Sequence, residues 1–490
     1  MFKFVGKISV VVLLLVGSMF VPNDQKMFAS GTSYQGSSFE AGPYNHEAAD
    51  PYGYNSNQNS RYASTNNGII NWAKLIPYNE NGKGIQQFWG TPAVDKDGTI
   101  YMINQNGLLY AFNSDGSIKW ELQLAGRDDR SVIIGEDGTL YVADFFLYAI
   151  NPDGTIKWVA KAPPGTDTRF SDSAIDKDGT IYVYNDYDYK LYAFNPDGSL
   201  KTKSQVSYST YGKVGTANGA GILISDNGLL YMALASYPNK SLVAFDKNGL
   251  IVWSKKYANG NARHTLDEQG NLVVSVKEGI ANKIQKLNAL TGELIAEKIL
   301  TATNANYISS PTVDYADGSI YVSFKNAYLQ KFLKLDKDLN IIWEKDNFTH
   351  TSDIVVDKNG DIIFSTSTGV TKLNSLGEEI WQVNAEQLYG SEYHNSIGFE
   401  GAPTIDANGK VYVGVITYKN IQPSSLLQNY TFMSIGDSVI QDYCTYYDML
   451  EQKLDSGTLT EAERLKAIEN AEKLLTRLNE YVPEAETVIE

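Results

Sequence analysis

The chain has 490 residues, of which 43% are hydrophobic and 20% charged, an ordinary composition for a globular protein. Its formal net charge of −16 argues against a nucleic-acid partner, because the phosphates would repel it. The single cysteine, Cys444, excludes an intramolecular disulfide and a cysteine-based metal cluster.

Residues 1–30 have the pattern of a secretory signal peptide. Lys3 and Lys7 form a positively charged segment before an apolar run of 14 residues, 8–21. This run is shorter than the roughly 20 residues that a membrane span needs. We therefore predict a secreted, extracellular protein, with cell-wall association left open and no stable membrane span after cleavage. Residues 31–66 are rich in Ser, Gly, Asn and Tyr without an apolar period, and we predict a flexible linker.

Residues 67–436 repeat one pattern eight times. Each unit has a turn such as Asp95-Lys96-Asp97-Gly98 between two β-rich runs, where glycine accepts a positive φ and the Asx side chain bonds the local backbone. The spacing of 40 to 49 residues is typical of four-stranded propeller blades. We therefore predict an all-β, eight-bladed β-propeller. The repeated turn glycines are Gly98, Gly138, Gly179, Gly228, Gly270, Gly318, Gly360 and Gly409.

The eighth unit lacks its last strand, and the missing pattern lies at the other end of the repeats. Asn67 to Trp72 reads NGIINW and matches the DGSIKW of the first unit. We predict that this N-terminal strand completes blade 8, which removes the open sheet edges. Large aromatic side chains recur in the fourth strand and are predicted to pack between blades. They are Trp72, Trp120, Trp158, Trp253, Trp343 and Trp381.

Residues 67–436 resemble the PQQ-like propeller repeat of quinoprotein alcohol dehydrogenases and BamB-like proteins. The best match is Leu287–Leu294, which reads LNALTGEL. The resemblance implies the propeller fold and, for the dehydrogenases, a quinone on a vicinal disulfide with a calcium ion beside it. Since Cys444 is alone, that disulfide cannot form, and we expect no cofactor, with PQQ or Ca²⁺ as the alternative.

Residues 437–490 change character. Capping boxes begin at Ser438 and Thr460, and apolar residues then recur at intervals of three and four. We predict an acidic α-helical hairpin. Two interpretations stay open: the hairpin caps the propeller, or it serves dimerisation or partner docking.

The propeller has two rims. Strands A to D of each blade run outward from the central channel, so the A–B and C–D turns share one rim, the regular rim, where the sequence predicts uniformly tight Asp-Gly turns. The B–C and D–A connections vary in length and form the variable rim, where binding is expected. Its Arg, His, Asp and aromatic residues suit an anion, a peptide carboxylate or a sugar. The candidate ligand-binding residues are Trp89, Arg130, Arg169, Phe170, Asp172, Arg263, His264, His350, Asp353 and His394.

Catalytic motifs and a metal site are not evident in the sequence. We therefore predict a non-enzymatic binding or scaffold module at the cell exterior, with an extracellular protein or a cell-wall glycan as partner. Self-association through the C-terminal helices stays open. The alternatives are a PQQ-dependent oxidoreductase, a polysaccharide-active propeller enzyme, and envelope assembly in the manner of BamB.

Overall fold

The structure is a computed structural model. The predicted signal peptide and C-terminal helical hairpin lie outside the residues it describes, and so does the predicted linker apart from Ser64. No helix in the described part has the length and hydropathy that a membrane crossing requires. The described residues are 64, 68, 70–76 and 91–436, the last range without 105, 127–131, 172, 206, 215–221, 237–238, 258–260, 279, 302–306, 326–329, 347–353, 367–368, 385–396, 407 and 422–424.

The described residues form eight antiparallel sheets, as the repeats predict. The first strand in the chain, β1 (Ile70–Ile76), belongs to blade 8. Blades 1 to 4 follow, each with its strands in the order A to D. They comprise β2 (Ala93–Val94), β3 (Ile100–Ile103), β4 (Leu108–Phe112) and β5 (Ile118–Gln123); β6 (Ile133–Ile134), β7 (Leu140–Ala143), β8 (Leu147–Ile150) and β9 (Ile156–Ala160); β10 (Ala174–Ile175), β11 (Ile181–Asn185), β12 (Lys190–Phe194) and β13 (Leu200–Lys203); and β14 (Lys213–Val214), β15 (Leu223–Ile224), β16 (Leu230–Ser236), β17 (Asn239–Phe245) and β18 (Ile251–Tyr257).

Blades 5 to 8 keep the same order, and the A strands of blades 4 and 6 are each split into two short pieces. These blades comprise β19 (Asn261–Leu266), β20 (Leu272–Glu278), β21 (Ala281–Leu287) and β22 (Leu294–Thr301); β23 (Tyr307–Ile308), β24 (Thr312–Val313), β25 (Ile320–Lys325), β26 (Gln330–Leu335) and β27 (Ile341–Asp346); β28 (Val355–Val356), β29 (Ile362–Ser365), β30 (Gly369–Leu373) and β31 (Glu379–Asn384); and β32 (Ile397–Ile405), β33 (Val411–Ile421) and β34 (Ser425–Ile435) together with β1.

The turns of the regular rim have the predicted chemistry. In blade 1, the N–H of Gly98 donates to the carbonyl of Asp95 at 3.0 Å, and φ of Gly98 is 77°. The Asp95 carboxylate accepts the N–H groups of Asp97 and Thr99, both at 2.9 Å. This Asx turn satisfies the backbone donors locally and fixes the register of the hairpin.

Two turns depart from the predicted uniformity. In blade 5 the N–H of Gly292 donates to Asn288, and in blade 6 that of Gly318 donates to Asp314. These bonds span four residues, one more than in blade 1. The C–D turn of blade 5 and the A–B turn of blade 6 are therefore wider, and the regular rim is not uniform.

The core lies between blades rather than within them. Seven clusters of buried side chains, taken over the described residues, lie along the seams between neighbouring blades. A four-stranded sheet has two faces and must cover both, and here each face is covered by the next blade. The outer D strands alternate exposed and half-buried residues, as in β5.

The predicted packing role of the tryptophans is confirmed. Each indole lies on a C–D turn glycine of the next blade: in blade 2, a Cβ added to Gly154 would lie 2.8 Å from Cδ2 of Trp120. The glycine is required both for its positive φ and for this close approach. In five of the six tryptophans, all but Trp381, the indole N–H also donates to a turn carbonyl across the seam within the described residues. These bonds join Trp72 to Ser114 (2.8 Å), Trp120 to Pro152 (2.9 Å), Trp158 to Pro196 (2.9 Å), Trp253 to Ala289 (2.8 Å) and Trp343 to Ser375 (3.2 Å).

Blades 3 and 5 fill the same space differently. In blade 3, Ser204 lies against the turn glycine of blade 4, since a Cβ added to Gly249 would lie 2.8 Å from that of Ser204, and the buried Tyr208 donates its hydroxyl to the carbonyl of Gly249. In blade 5, Ala296 occupies the register position of the tryptophan. The facing turn of blade 6 carries Leu339 instead of glycine, with φ of 66° and a side chain that packs in the same cluster as Ala296. A small residue on one side is thus matched by a large one on the other.

The predicted closure of blade 8 is confirmed. Strand β1 pairs antiparallel with β34, from Ile70 opposite Ile435 to Ile76 opposite Tyr430. Before the strand begins, Ser64 is held by blade 7. Its N–H donates to Asp357 Oδ2 at 3.0 Å, and its carbonyl accepts from Lys372, which also contacts that carboxylate at 3.1 Å.

The glycines beneath the indoles can be tested with a matched pair. Gly198 and Gly165 have φ of 84° and 85°, so alanine meets similar backbone strain at both, about 1–2 kcal/mol. A Cβ at Gly198 would lie 2.6 Å from Trp158, whereas nothing lies within 4 Å at Gly165. We expect Gly198→Ala to lower the free energy of unfolding by about 1–3 kcal/mol more than Gly165→Ala, measured by urea denaturation. Equal losses would contradict the packing role.

The closure of the ring predicts that Trp72 contributes as much as a tryptophan at an internal seam. Trp72→Ala should lower the free energy of unfolding by about 3–5 kcal/mol, as should Trp120→Ala, because both leave an unfilled space over a glycine. Chemical denaturation of the two variants provides the comparison. If Trp72→Ala were neutral while Trp120→Ala was destabilising, the N-terminal strand would not be holding the ring closed.

Candidate functional site

Four of the ten predicted ligand residues lie in the described part of the chain: Arg169, Phe170, Arg263 and His264. The other six lie outside the described residues, so their predicted role stays a prediction. They are Trp89, Arg130, Asp172, His350, Asp353 and His394.

Phe170 and Arg169 precede the inner strand of blade 3. Phe170 is fully buried, with its ring centroid 5.7 Å from that of Tyr192 and 5.9 Å from that of Phe194. The Arg169 N–H donates to the side chain of Asn185 at 2.9 Å, and its own side chain is half-buried. Phe170 therefore packs in the core, while Arg169 is fixed at the edge of the blade.

Arg263 and His264 are consecutive in β19, so their side chains leave opposite faces of the strand. Arg263 is 3% exposed and His264 is 8% exposed. Burial lowers the pKa of His264 to about 4, although a hydrogen bond with the main chain of Tyr231 favours the charged form. The imidazole is therefore neutral at pH 7.

The structure adds Lys240, the second residue of β17 in blade 4, to this pair. Burial and then the charge of Arg263 lower the pKa of Lys240 to about 8. No carboxylate among the described residues forms an ion pair with Lys240. Two cationic side chains from neighbouring blades thus lie together at a seam.

Several polar atoms of blade 5 are buried without a hydrogen-bond partner among the described residues. They are both amide atoms of Asn282, the hydroxyl of Thr265 and Nδ1 of His264. Each such group costs about 1–3 kcal/mol when left unsatisfied. Several in one blade suggest a place for water or a ligand. We name Lys240, Arg263, Thr265 and Asn282 the blade 4–5 site; the side chain of His264 leaves the opposite face of β19.

Sequence reasoning identified Arg263 and His264 but missed Lys240 and Asn282. Their place in the repeat could have identified them, because each is the second residue of a C strand and follows the B–C connection on the variable rim. Chemically, the blade 4–5 site offers two cationic groups and neutral donors in a partly desolvated setting. Charge-assisted hydrogen bonds to an anion are strongest in such a setting.

The described residues contain no group of three or more His, Cys, Asp or Glu side chains arranged to hold a metal ion. The cations and neutral polar groups of the blade 4–5 site are also unlike the carboxylate-rich sets that hold calcium.

A family model described as outer membrane protein assembly factor BamB matches residues 63–237 and 238–427. A curated relative in Bacillus subtilis (strain 168), described as uncharacterized protein YxaL, is 35% identical over 85 residues. That match covers 17% of this chain and 19% of the relative, so it spans less than a fifth of the relative's length.

Three solved structures match the chain at low identity. BamB from Moraxella catarrhalis is 14% identical with a TM-score of 0.46, over 74% of this chain and 100% of that one. The dihydro-heme d1 dehydrogenase NirN is 13% identical with a TM-score of 0.48, over 60% of this chain and 66% of that one. Virginiamycin B lyase from Staphylococcus aureus is 16% identical with a TM-score of 0.41, over 60% of this chain and 96% of that one.

The buried imidazole predicts a pH dependence of stability. The unfolded chain binds a proton at His264 near pH 6.5, whereas the folded protein does so only near pH 4, so stability is lost as the pH falls between these values. We expect His264→Gln to lose less stability than the parent between pH 7 and pH 4, measured by urea denaturation at each pH. Identical losses would contradict a neutral, buried imidazole.

Proposed function

The chain belongs to the outer membrane protein assembly factor BamB family of β-propellers, and from this premise we propose that it is an exported, non-enzymatic binding module. The observation that carries the proposal is the pairing of Lys240 with Arg263 at the variable rim. The export pattern of residues 1–30 supports a place at the cell exterior.

The ligand chemistry follows from the charges. Lys240 is partly desolvated beside Arg263, which disfavours its charged form, and an anion bound beside Lys240 would stabilise that form. The rest of the chain is acidic, with a net charge of −16. A small cationic spot on an acidic protein favours a partner that presents an isolated carboxylate or phosphate over a uniformly anionic surface.

The partner is an extracellular protein or a cell-wall glycan that carries such a group. Propellers suit this role because their rigid blades hold the rim loops in place while the loops vary. The hydroxyl of Thr265 and the amide of Asn282 lie on the same face of blade 5 as Arg263 and would orient the anion, while the two cations supply the attraction.

The anion site can be tested by calorimetric titration of the full chain with two probes, a tetraglutamate peptide and poly(glycerol phosphate). Binding of the first favours a protein partner, and binding of the second favours an anionic glycan. We expect Lys240→Met to weaken binding at least tenfold, which is about 1.4 kcal/mol. Lys190 of blade 3 begins its C strand on the same rim, so Lys190→Met is the matched control and should bind normally.

The pH dependence gives a second readout. Lys240 loses its charge as the pH rises through about 8, so binding should weaken between pH 7 and pH 9.5. In Lys240→Arg the charge persists and binding should be nearly constant over this range. Failure of both probes to bind, or equal effects of Lys240→Met and Lys190→Met, would contradict the proposal.

A further inference from the structure

A cleft of about 310 Å³ opens on the regular rim, where the sequence predicted only tight turns. Ligand pockets in proteins usually begin at about this size. Three turns line it: the A–B turn of blade 4, the A–B turn of blade 5 and the C–D turn of blade 5. Their lining residues are Ser225, Asp226, Asn227, Leu266, Gln269, Gly270, Asn271, Asn288, Ala289 and Leu290.

The wide C–D turn of blade 5 forms one wall of the cleft. The carbonyl of Ala289 in this turn accepts two hydrogen bonds from blade 4, from the indole of Trp253 at 2.8 Å and from the hydroxyl of Tyr231 at 3.0 Å. Asn227 on the facing wall donates to the same Tyr231 hydroxyl at 2.9 Å. The walls are therefore tied together and the cleft is pre-formed.

Asn288 differs from its counterparts in other blades. Where the C–D turn is tight, the amide NH₂ of the corresponding asparagine donates to the side chain four residues later. These bonds are Asn113 to Ser117 (2.9 Å), Asn151 to Thr155 (2.9 Å), Asn195 to Ser199 (2.9 Å) and Asn374 to Glu378 (2.8 Å).

In blade 5 the extra residue breaks this pattern. Glu293 accepts from the hydroxyl of Thr291 at 3.3 Å, and the NH₂ of Asn288 makes no hydrogen bond within the described residues. Asn288 Oδ1 still accepts the N–H groups of Leu290 at 2.9 Å and Thr291 at 3.1 Å, which fixes the plane of the amide. The wide turn thus leaves two oriented donors available at the wall of the cleft.

The other lining groups set the character of a ligand. Asn271 donates to Asp267 at 3.2 Å, and its side-chain oxygen makes no hydrogen bond in the described part of the chain. The charge of Asp226 is neutralised by an ion pair with Lys177. Leu290 is 56% exposed and supplies an apolar surface. Carboxamides beside an aliphatic side chain, with no uncompensated charge, suit a neutral ligand with many hydroxyl groups.

We propose that the cleft of the regular rim binds a short neutral saccharide, with Asn288 as the main donor. Sugar hydroxyls both donate and accept, as carboxamides do, and the C–H face of the ring packs on Leu290. This site is on the opposite rim from the blade 4–5 site and does not depend on the anion binding proposed there.

The test uses the full chain with cellotriose and chitotriose as probes, measured by saturation-transfer NMR and calorimetry. Cellotriose offers hydroxyl groups alone, and chitotriose adds acetamido groups. Asn288→Asp keeps the oxygen that the turn requires and removes the two donors, so we expect it to weaken binding at least tenfold. Asn374→Asp makes the same change in the tight turn of blade 7 and should bind like the parent.

Each outcome decides the proposal. Binding of at least one probe that is lost in Asn288→Asp and retained in Asn374→Asp supports it. Absence of binding by both probes overturns it, as does binding that is equal in the two variants. Lys240→Met should leave saccharide binding unchanged, so failure of the anion proposal and failure of this one can be told apart.

Discussion

The propeller depends on the contact between an indole ring and a backbone without a side chain. In six blades the C–D turn glycine has a positive φ, and its missing Cβ leaves the space in which the tryptophan of the preceding blade lies. One residue thereby serves two needs, a hairpin turn within its blade and a close contact between blades. The seam between blades 5 and 6 shows that volume is the constraint. There Ala296 replaces the ring, and Leu339 fills the space from the opposite side despite its unfavourable backbone conformation.

The ring is not eightfold symmetric, and consecutive blades share the position of a lysine that contacts the A–B turn. In blades 1 to 3 a lysine of the D strand reaches back to the A–B turn, as Lys157 does to Asp137 and Thr139. In blades 5 to 7 the lysine lies on the C strand, as Lys286 does beside Asp267. Blade 5 departs furthest, because it lacks the tryptophan, has the wide C–D turn and contains more unsatisfied buried polar atoms than any other blade among the described residues. Places where a protein departs from the local sequence and packing rules of its fold are often functional sites, and both candidate sites involve this blade.

The architecture could be predicted from the sequence because turn chemistry is local. Glycine after Asp or Asn marks most of the A–B and C–D turns, and the unmatched Asn67–Trp72 pattern identified the strand that closes blade 8. The sites could not be predicted in the same way. Lys240 and Arg263 come from different blades, so their proximity depends on how blades pack rather than on their spacing. Phe170 shows the same difficulty, because it lies near a rim in sequence but packs among aromatic rings. The extra residue before Gly292 can be read from the sequence. Its effect on the hydrogen bonds of the Asn288 side chain is seen only when the structure of this turn is compared with the other turns.

Completing the last blade with the first strand also imposes an order on folding. Asn71 and Ser434, which meet in blade 8, are 363 residues apart along the chain. During synthesis β1 is made first and its partner strand β34 last, so β1 has no strand to pair with until the intervening blades have been made. The final step closes a loop that contains nearly the whole propeller, and contacts between such distant segments form slowly. The ring can therefore close only when both ends of the repeat region are present. An incompletely synthesised chain differs from a finished one by its exposed sheet edge.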